Sequence, residues 1–148
     1  MATGDGLGRV FNVIYAASGV EIPLTNYSAV TFVSFVDAGT HTLAFEEHDS
    51  TDVNSVQDLD VAAAGVRGYI GPGVGGAWTE LASGDIVAND IDGATATNDC
   101  YAVTIRGDQL SDGYDSVECT GSAGAVVAIL HDLRVQRKPG NLKSSLVA

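Results

Sequence analysis

Basic residues are scarce in this chain: Lys and Arg together number 7 in 148 residues, against 19 Asp and Glu, for a formal net charge of −12. A nucleic-acid backbone is recognised by clustered cations, so this balance argues against direct nucleic-acid binding. Long hydrophobic runs are missing too. The longest, residues 125–130, is far short of the roughly 20 residues a membrane span needs. Residues 10–17 have some of the apolar character of a signal core. They lack a basic stretch in front and are interrupted by Asn12 and Tyr15, so a soluble protein without an export signal is expected.

Only 2 cysteines are present, which allows one disulfide at most. Residues 100–106 and 115–120 read as two strands of a hairpin joined by 107–113. Matching their apolar faces puts Val103 opposite Val117 and Tyr101 opposite Cys119, with Cys100 pointing the other way. A one-residue slip would align the cysteines but part the apolar sets. A buried free thiol at Cys119 is therefore expected, which suits a reducing cytoplasm.

What is abundant is glycine, 18 residues, within a composition that is 45% hydrophobic and 18% charged. That is enough for one domain with a real core. Glycine beside many Val, Thr and Ile favours strands joined by turns. Strands are predicted at 9–16, 20–24, 27–36, 40–48, 66–70, 77–82, 100–106, 115–120 and 125–135. The turn 37–39 is predicted to join 27–36 and 40–48 as a hairpin, and 53–61 to hold a short helical turn. Residues 85–97 suggest no definite element. In the last strand Val126, Val127, Ile129, Leu130, Leu133 and Val135 offer apolar groups to both faces, as in a central strand. With no long amphipathic pattern, the fold class is all-β, a mainly antiparallel sandwich or barrel. Residues 9–136 form the domain, and residues 1–8 and 137–148 are terminal arms.

Charge divides along the chain. All acidic residues fall in 1–133, leaving that part at −16 after three arginines, while Arg134, Arg137, Lys138 and Lys143 give the end +4. Charged tails are often solvated fray. This one also carries Pro139, Leu142 and Leu146, so Arg137, Lys138, Pro139, Leu142, Lys143 and Leu146 are the expected contacts with a partner or a neighbouring subunit. Exposed ion pairs add about 0–1 kcal/mol each, a buried leucine about 1.5–3. The leucines would anchor and the charges would steer.

No catalytic, cofactor or metal site emerges. Gly71, Gly73 and Gly76 match G-x-G-x-x-G, but no helix opens after Gly76 and Pro72 lacks a donor, so a glycine turn is expected. Aligning Gly93 with a calcium-loop glycine puts Ala88 at the first ligand position and Asp99 at the last, which argues against an EF-hand. Asp90, Asp92 and Asp99 read as turn carboxylates, with a weak cation site as the alternative. Glu46, Glu47, His48 and Asp49 read as a solvated rim, Glu47 lying beyond the core edge. His131 and Asp132, adjacent in a strand, point to opposite faces. With no serine in a nucleophile elbow and no base beside Cys119, an enzyme is not expected.

Several segments together resemble small virion proteins of tailed bacteriophages, the capsid accessory or decoration (cement) proteins. They are 13–20 (VIYAASGV) with Ile22 and Pro23, 29–33 (AVTFV), 77–80 (AWTE), 110–114 (LSDGY) with 117–119 (VEC), and 128–139 (AILHDLRVQRKP) with Asn141 and Leu142. The resemblance spans most of the chain, is densest at its end, and rests on the order of the segments. It implies a non-enzymatic β-rich protein, made in the host cytoplasm and bound to the outside of the capsid. Its partners would be the major capsid protein and itself, as a trimer, with no direct nucleic acid, membrane or cofactor. A tail, baseplate or host-surface binding module is the alternative, with an exposed aromatic patch around Trp78 and Tyr69, or a functional cation site at Asp90 and Asp92, as its mark.

Overall fold

The computed structural model describes residues 12–16, 20–35, 41–72, 76–92, 99–122 and 124–134. Its strands are β1 (Asn12–Tyr15), β2 (Glu21–Pro23), β3 (Tyr27–Phe35), β4 (Thr42–Asp49), β5 (Asp52–Asp58), β6 (Arg67–Pro72), β7 (Thr79–Glu80), β8 (Ile86–Val87), β9 (Asp90–Asp92), β10 (Asp99–Arg106), β11 (Ser116–Gly121) and β12 (Ala125–Leu133). A 3-10 turn, Gly107–Gln109, follows β10. The strands form two antiparallel sheets, stacked as a sandwich. The first is ordered β1-β12-β3-β10-β6-β7; the second is β2-β11-β4-β9-β8, with β5 also paired to β4. This is the expected all-β, antiparallel class.

Strand alternation builds the core between the layers. The first sheet sends in Val30 and Phe32 from β3, Val103 and Ile105 from β10, and Ala128 and Leu130 from β12. The second answers with Ile22, Leu43, Phe45, Ile91, Val117 and Cys119. Phe32 and Phe45 meet edge to face across the layers, ring centroids 5.8 Å apart. Each large apolar side chain buried this way stabilises by about 1.5–3 kcal/mol, as an upper estimate. β12 lies between β1 and β3, as its two-faced apolar pattern implies. Pro23, which lacks an N–H, sits on edge strand β2, where a missing donor is tolerated.

Both predicted hairpins are wrong. β3 is flanked by β12 and β10, while β4 lies in the other sheet against β11, β9 and β5. Likewise β10 pairs with β3 and β6, and β11 with β2 and β4. Val103 therefore pairs with Phe32 and Gly68, and Val117 with Ile22 and Glu47. Alternation specifies which face of a strand is buried, and two strands facing each other across a core satisfy it as well as two neighbours in one sheet. The nine-residue connection 107–115, with its 3-10 turn, carries the chain across the layers, about 10 Å apart in such folds. Both cysteines are nevertheless free and buried, in different sheets. The Cys119 thiol is fully buried, and desolvation with Glu118 alongside pushes its pKa up.

Residues 52–58 form an exposed edge strand, not a helical turn, held by pairing along the end of β4. Within 85–97, β8 and β9 make a tight hairpin through Ala88, at φ 49°, and Asn89. The corner from β11 to β12 packs closely. A Cβ on Gly121 would meet His41 Cε1 and Val126 Cγ2, each at 3.0 Å. The arms 1–8 and 137–148, the turn 37–39 and Val135 lie outside the described residues.

Candidate functional site

The two outer faces of the sandwich differ in chemistry. On the second sheet, strand register lines up carboxylates across four strands. Glu21 pairs with Glu118, Glu118 with Glu46, and Glu46 with Asp58. Their neighbours Ile22, Val117 and Phe45 point into the core, so alternation turns this row outward. Like charges directly opposite on adjacent strands destabilise a sheet. The cations among the described residues are Arg67, Arg106 and Arg134, all on strands of the first sheet or at its end. Arg67 and Arg106 pair with Glu80 and Asp108, and the Arg134 guanidinium lies beside Gly107.

His48, two residues beyond Glu46, shares this face. Its Nε2 lies 3.4 Å from Glu118 Oε2 and 4.0 Å from Glu46 Oε2. The His48 and Glu118 side chains are 15% and 14% exposed and Glu46 is 47% exposed, so the cluster opens to water on the Glu46 side. Although these contacts are within ion-pair distance, His48 Nε2 is buried with no hydrogen-bond partner, and so is Glu21 Oε1. Glu46, His48 and Glu118 each offer one ligand atom, all within 4.8 Å of one another.

The expected solvated rim thus divides between the faces. Glu47, placed beyond the core edge by its sequence position, is instead 1% exposed and lies in the inward row with Val117 and Gln57. Its carboxylate accepts from Gln57 Nε2 at 2.6 Å and from the Ser111 amide at 2.8 Å. Burial of the carboxylate is tolerated because both oxygens are bonded. Asp49 caps the β4–β5 turn, accepting from the Thr51 amide and hydroxyl, which lower its pKa. Asp115 holds the same turn from the start of β11 through the Ser50 amide and hydroxyl.

The outer face of the first sheet is apolar towards the Phe35 end and polar towards the end carrying Arg67, Arg106 and His131. One row runs Tyr15, Val127, Val33, Ala102, Tyr69, and the next Val13, Ile129, Thr31, Thr104, Arg67. Tyr15 is 65% exposed, and Val13, Phe35 and Trp78 are about half exposed. Trp78 lies over Gly71, where a Cβ would come within 2.8 Å of the indole. Gly71, expected in a glycine turn, lies instead within β6, where it allows close packing of the Trp78 ring.

His41 and Ser34 meet between the sheets, 1% and 0% exposed. Burial lowers the His41 pKa. His131 Nε2 contacts Thr31 Oγ1 at 2.9 Å, and Thr31 contacts Thr104 at 2.8 Å. His131 thus lies on the first sheet, across the sandwich from Glu46 and His48. Asp90 and Asp92 belong to β9 in the second sheet, while Asp99 opens β10 in the first. The predicted partner contacts Arg137, Lys138, Pro139, Leu142, Lys143 and Leu146 lie outside the described residues. Reasoning along single strands paired Glu46 with its chain neighbours and missed Glu118 and Glu21. The alternating Glu46-x-His48 was visible; which strand lay beside it was not.

No protein-family model and no curated protein matches this chain.

Proposed function

We propose that this chain is a bacteriophage virion structural protein, a capsid decoration protein bound to the outside of the major capsid shell and stabilising it by bridging subunits. The observation that carries this reading is the inequality of the two outer faces. Tyr15, Val13, Val33, Phe35, Tyr69 and Trp78 give one end of the first sheet a broad apolar surface, while Arg67 and Arg106, each paired to a carboxylate, lie towards the other end. The second sheet presents the carboxylate row. Contiguous exposed apolar surface marks a face made to be covered, and charged residues are depleted where a partner docks. An adhering protein needs one face to desolvate and one to leave in water. The segment resemblance supports the same role, and a net charge of −12 suits the outside of a shell better than a lumen full of DNA. In this reading a trimer forms on the shell, and Arg137, Lys138, Pro139, Leu142, Lys143 and Leu146 extend the contact.

The exposure of Trp78 and Tyr69 also favours a second reading, a tail, baseplate or host-surface binding module. Locating the protein in heads or tails of purified virions separates the two. Sedimentation with undecorated capsids then tests the docking face. Tyr15→Asp with Phe35→Asp, both well exposed, should fold normally and bind at least about tenfold more weakly, while Asp58→Asn on the opposite sheet should bind normally. Presence only in tails overturns the decoration role. Capsid binding unchanged by the double variant overturns the assigned face.

A further inference from the structure

We infer that Glu46, His48 and Glu118 form a binding site for a first-row divalent cation of the zinc or manganese type, flanked by Glu21. Three independent observations converge on it. The first is spacing. Ligands about 2.0–2.2 Å from a tetrahedral zinc lie about 3.3–3.6 Å from each other. His48 Nε2 and Glu118 Oε2 already stand 3.4 Å apart, and Glu46 Oε2 is 4.0 Å from the same nitrogen. Closing the triad calls on the Glu46 side chain, the most exposed of the three.

The second observation is unmet valence. His48 Nε2 is buried and makes no hydrogen bond, and Glu21 Oε1, on the strand beside Glu118, is in the same condition. Buried polar atoms are nearly always partnered. A cation at the centre would take the imidazole nitrogen directly and hold Glu21 as an outer carboxylate. The third is charge. Glu118 stands between Glu21 and Glu46, and Glu46 between Glu118 and Asp58, with none of the arginines among the described residues paired to them. A divalent cation converts that repulsion into attraction.

The donor set selects the ion. One imidazole with carboxylates suits zinc or manganese, whereas calcium and magnesium prefer all-oxygen shells. Both donor strands lie side by side in the sheet, β11 between β2 and β4, so the ligands are held on rigid elements and not on a loop. The site is on the opposite sheet from the proposed docking face, so neither proposal depends on the other.

The test uses the full chain stripped with chelator and titrated with ZnCl2, MnCl2, CaCl2 and MgCl2 by calorimetry, with thermal unfolding in parallel. One zinc per chain should bind, unfolding should shift to higher temperature, and zinc should bind more tightly than calcium or magnesium. Glu118→Gln and His48→Gln should each weaken zinc by more than the roughly 10–100-fold that losing an outer partner costs, and Glu21→Gln should fall within that range. In chelator, Glu118→Gln should be at least as stable as the parent, because it relieves repulsion; this keeps a folding defect distinct from a lost ligand. Zinc binding unchanged in the His48→Gln, Glu118→Gln double variant would overturn the assignment. So would no binding up to about 1 mM, or calcium binding as tightly as zinc.

Discussion

Glu47 is the residue whose replacement tests the packing of this sandwich most directly. It occupies an inward position, 1% exposed, in line with Val117 and Gln57. Its two oxygens tie edge strand β5, through Gln57, and the loop after the 3-10 turn, through the Ser111 amide, to the end of β4. Hydrogen bonds to an ionised acceptor are worth about 1.5–3 kcal/mol each. Glu47→Ala loses both. Gln57 and Ser111 are themselves exposed, so the freed donors turn to water, and the carboxylate no longer has to be desolvated. These offsets reduce the expected loss to about 2–4 kcal/mol. Glu47→Gln keeps the volume but sets an amide N–H₂ against one of the two donors, costing about 1–3 kcal/mol. Glu47→Met removes the bonds but also the buried charge, and should fall between Glu47→Ala and the parent. Urea unfolding of the four proteins gives the order. Glu47→Ala within about 0.5 kcal/mol of the parent, the range of a neutral surface change, would refute the reasoning. Glu47→Gln more stable than the parent would do so equally.

Two further predictions concern the interior. A double-mutant cycle of Phe32→Leu and Phe45→Leu should show coupling of about 0.5–1.5 kcal/mol from the edge-to-face pair, and additivity within about 0.3 kcal/mol would mean the sheets do not meet there. Burial holds the His41 imidazole below its ordinary pKa of 6.5, so the unfolded chain takes up this proton at a higher pH than the folded one. Stability from this group is complete above about pH 6.5 and declines as pH falls towards the folded pKa, at up to about 1.4 kcal/mol per pH unit. His41→Asn should flatten that decline below about pH 6.5, and an unchanged slope in the variant would locate the proton uptake elsewhere.

The strands were largely legible because a half-buried strand must alternate. Val30 and Phe32, Leu43 and Phe45, and Val126 and Leu130 announce an inward face whatever the partner. The need for glycine at 121 was not legible, because the His41 ring that a Cβ there would meet is eighty residues away in the chain. Strand β5 was illegible for the opposite reason. Its residues are nearly all exposed, so no burial pattern marks them, and only the free edge of β4 makes them a strand.

What the sequence by itself determined is the all-β class, the inward residues of most strands, and the uneven division of charge along the chain. These follow from local periodicity and composition, which one chain carries without reference to its fold. Which strands are neighbours was decided only by tertiary structure. The same alternation is satisfied by pairing in one sheet or by facing across the core, and packing chose the latter for β3 with β4 and for β10 with β11. That choice brings Glu118 beside Glu46 and His48, sets Glu47 inside, and separates a partly apolar outer face from an acidic one. Proximity between residues some seventy positions apart is a property of strand order, and no local pattern encodes it.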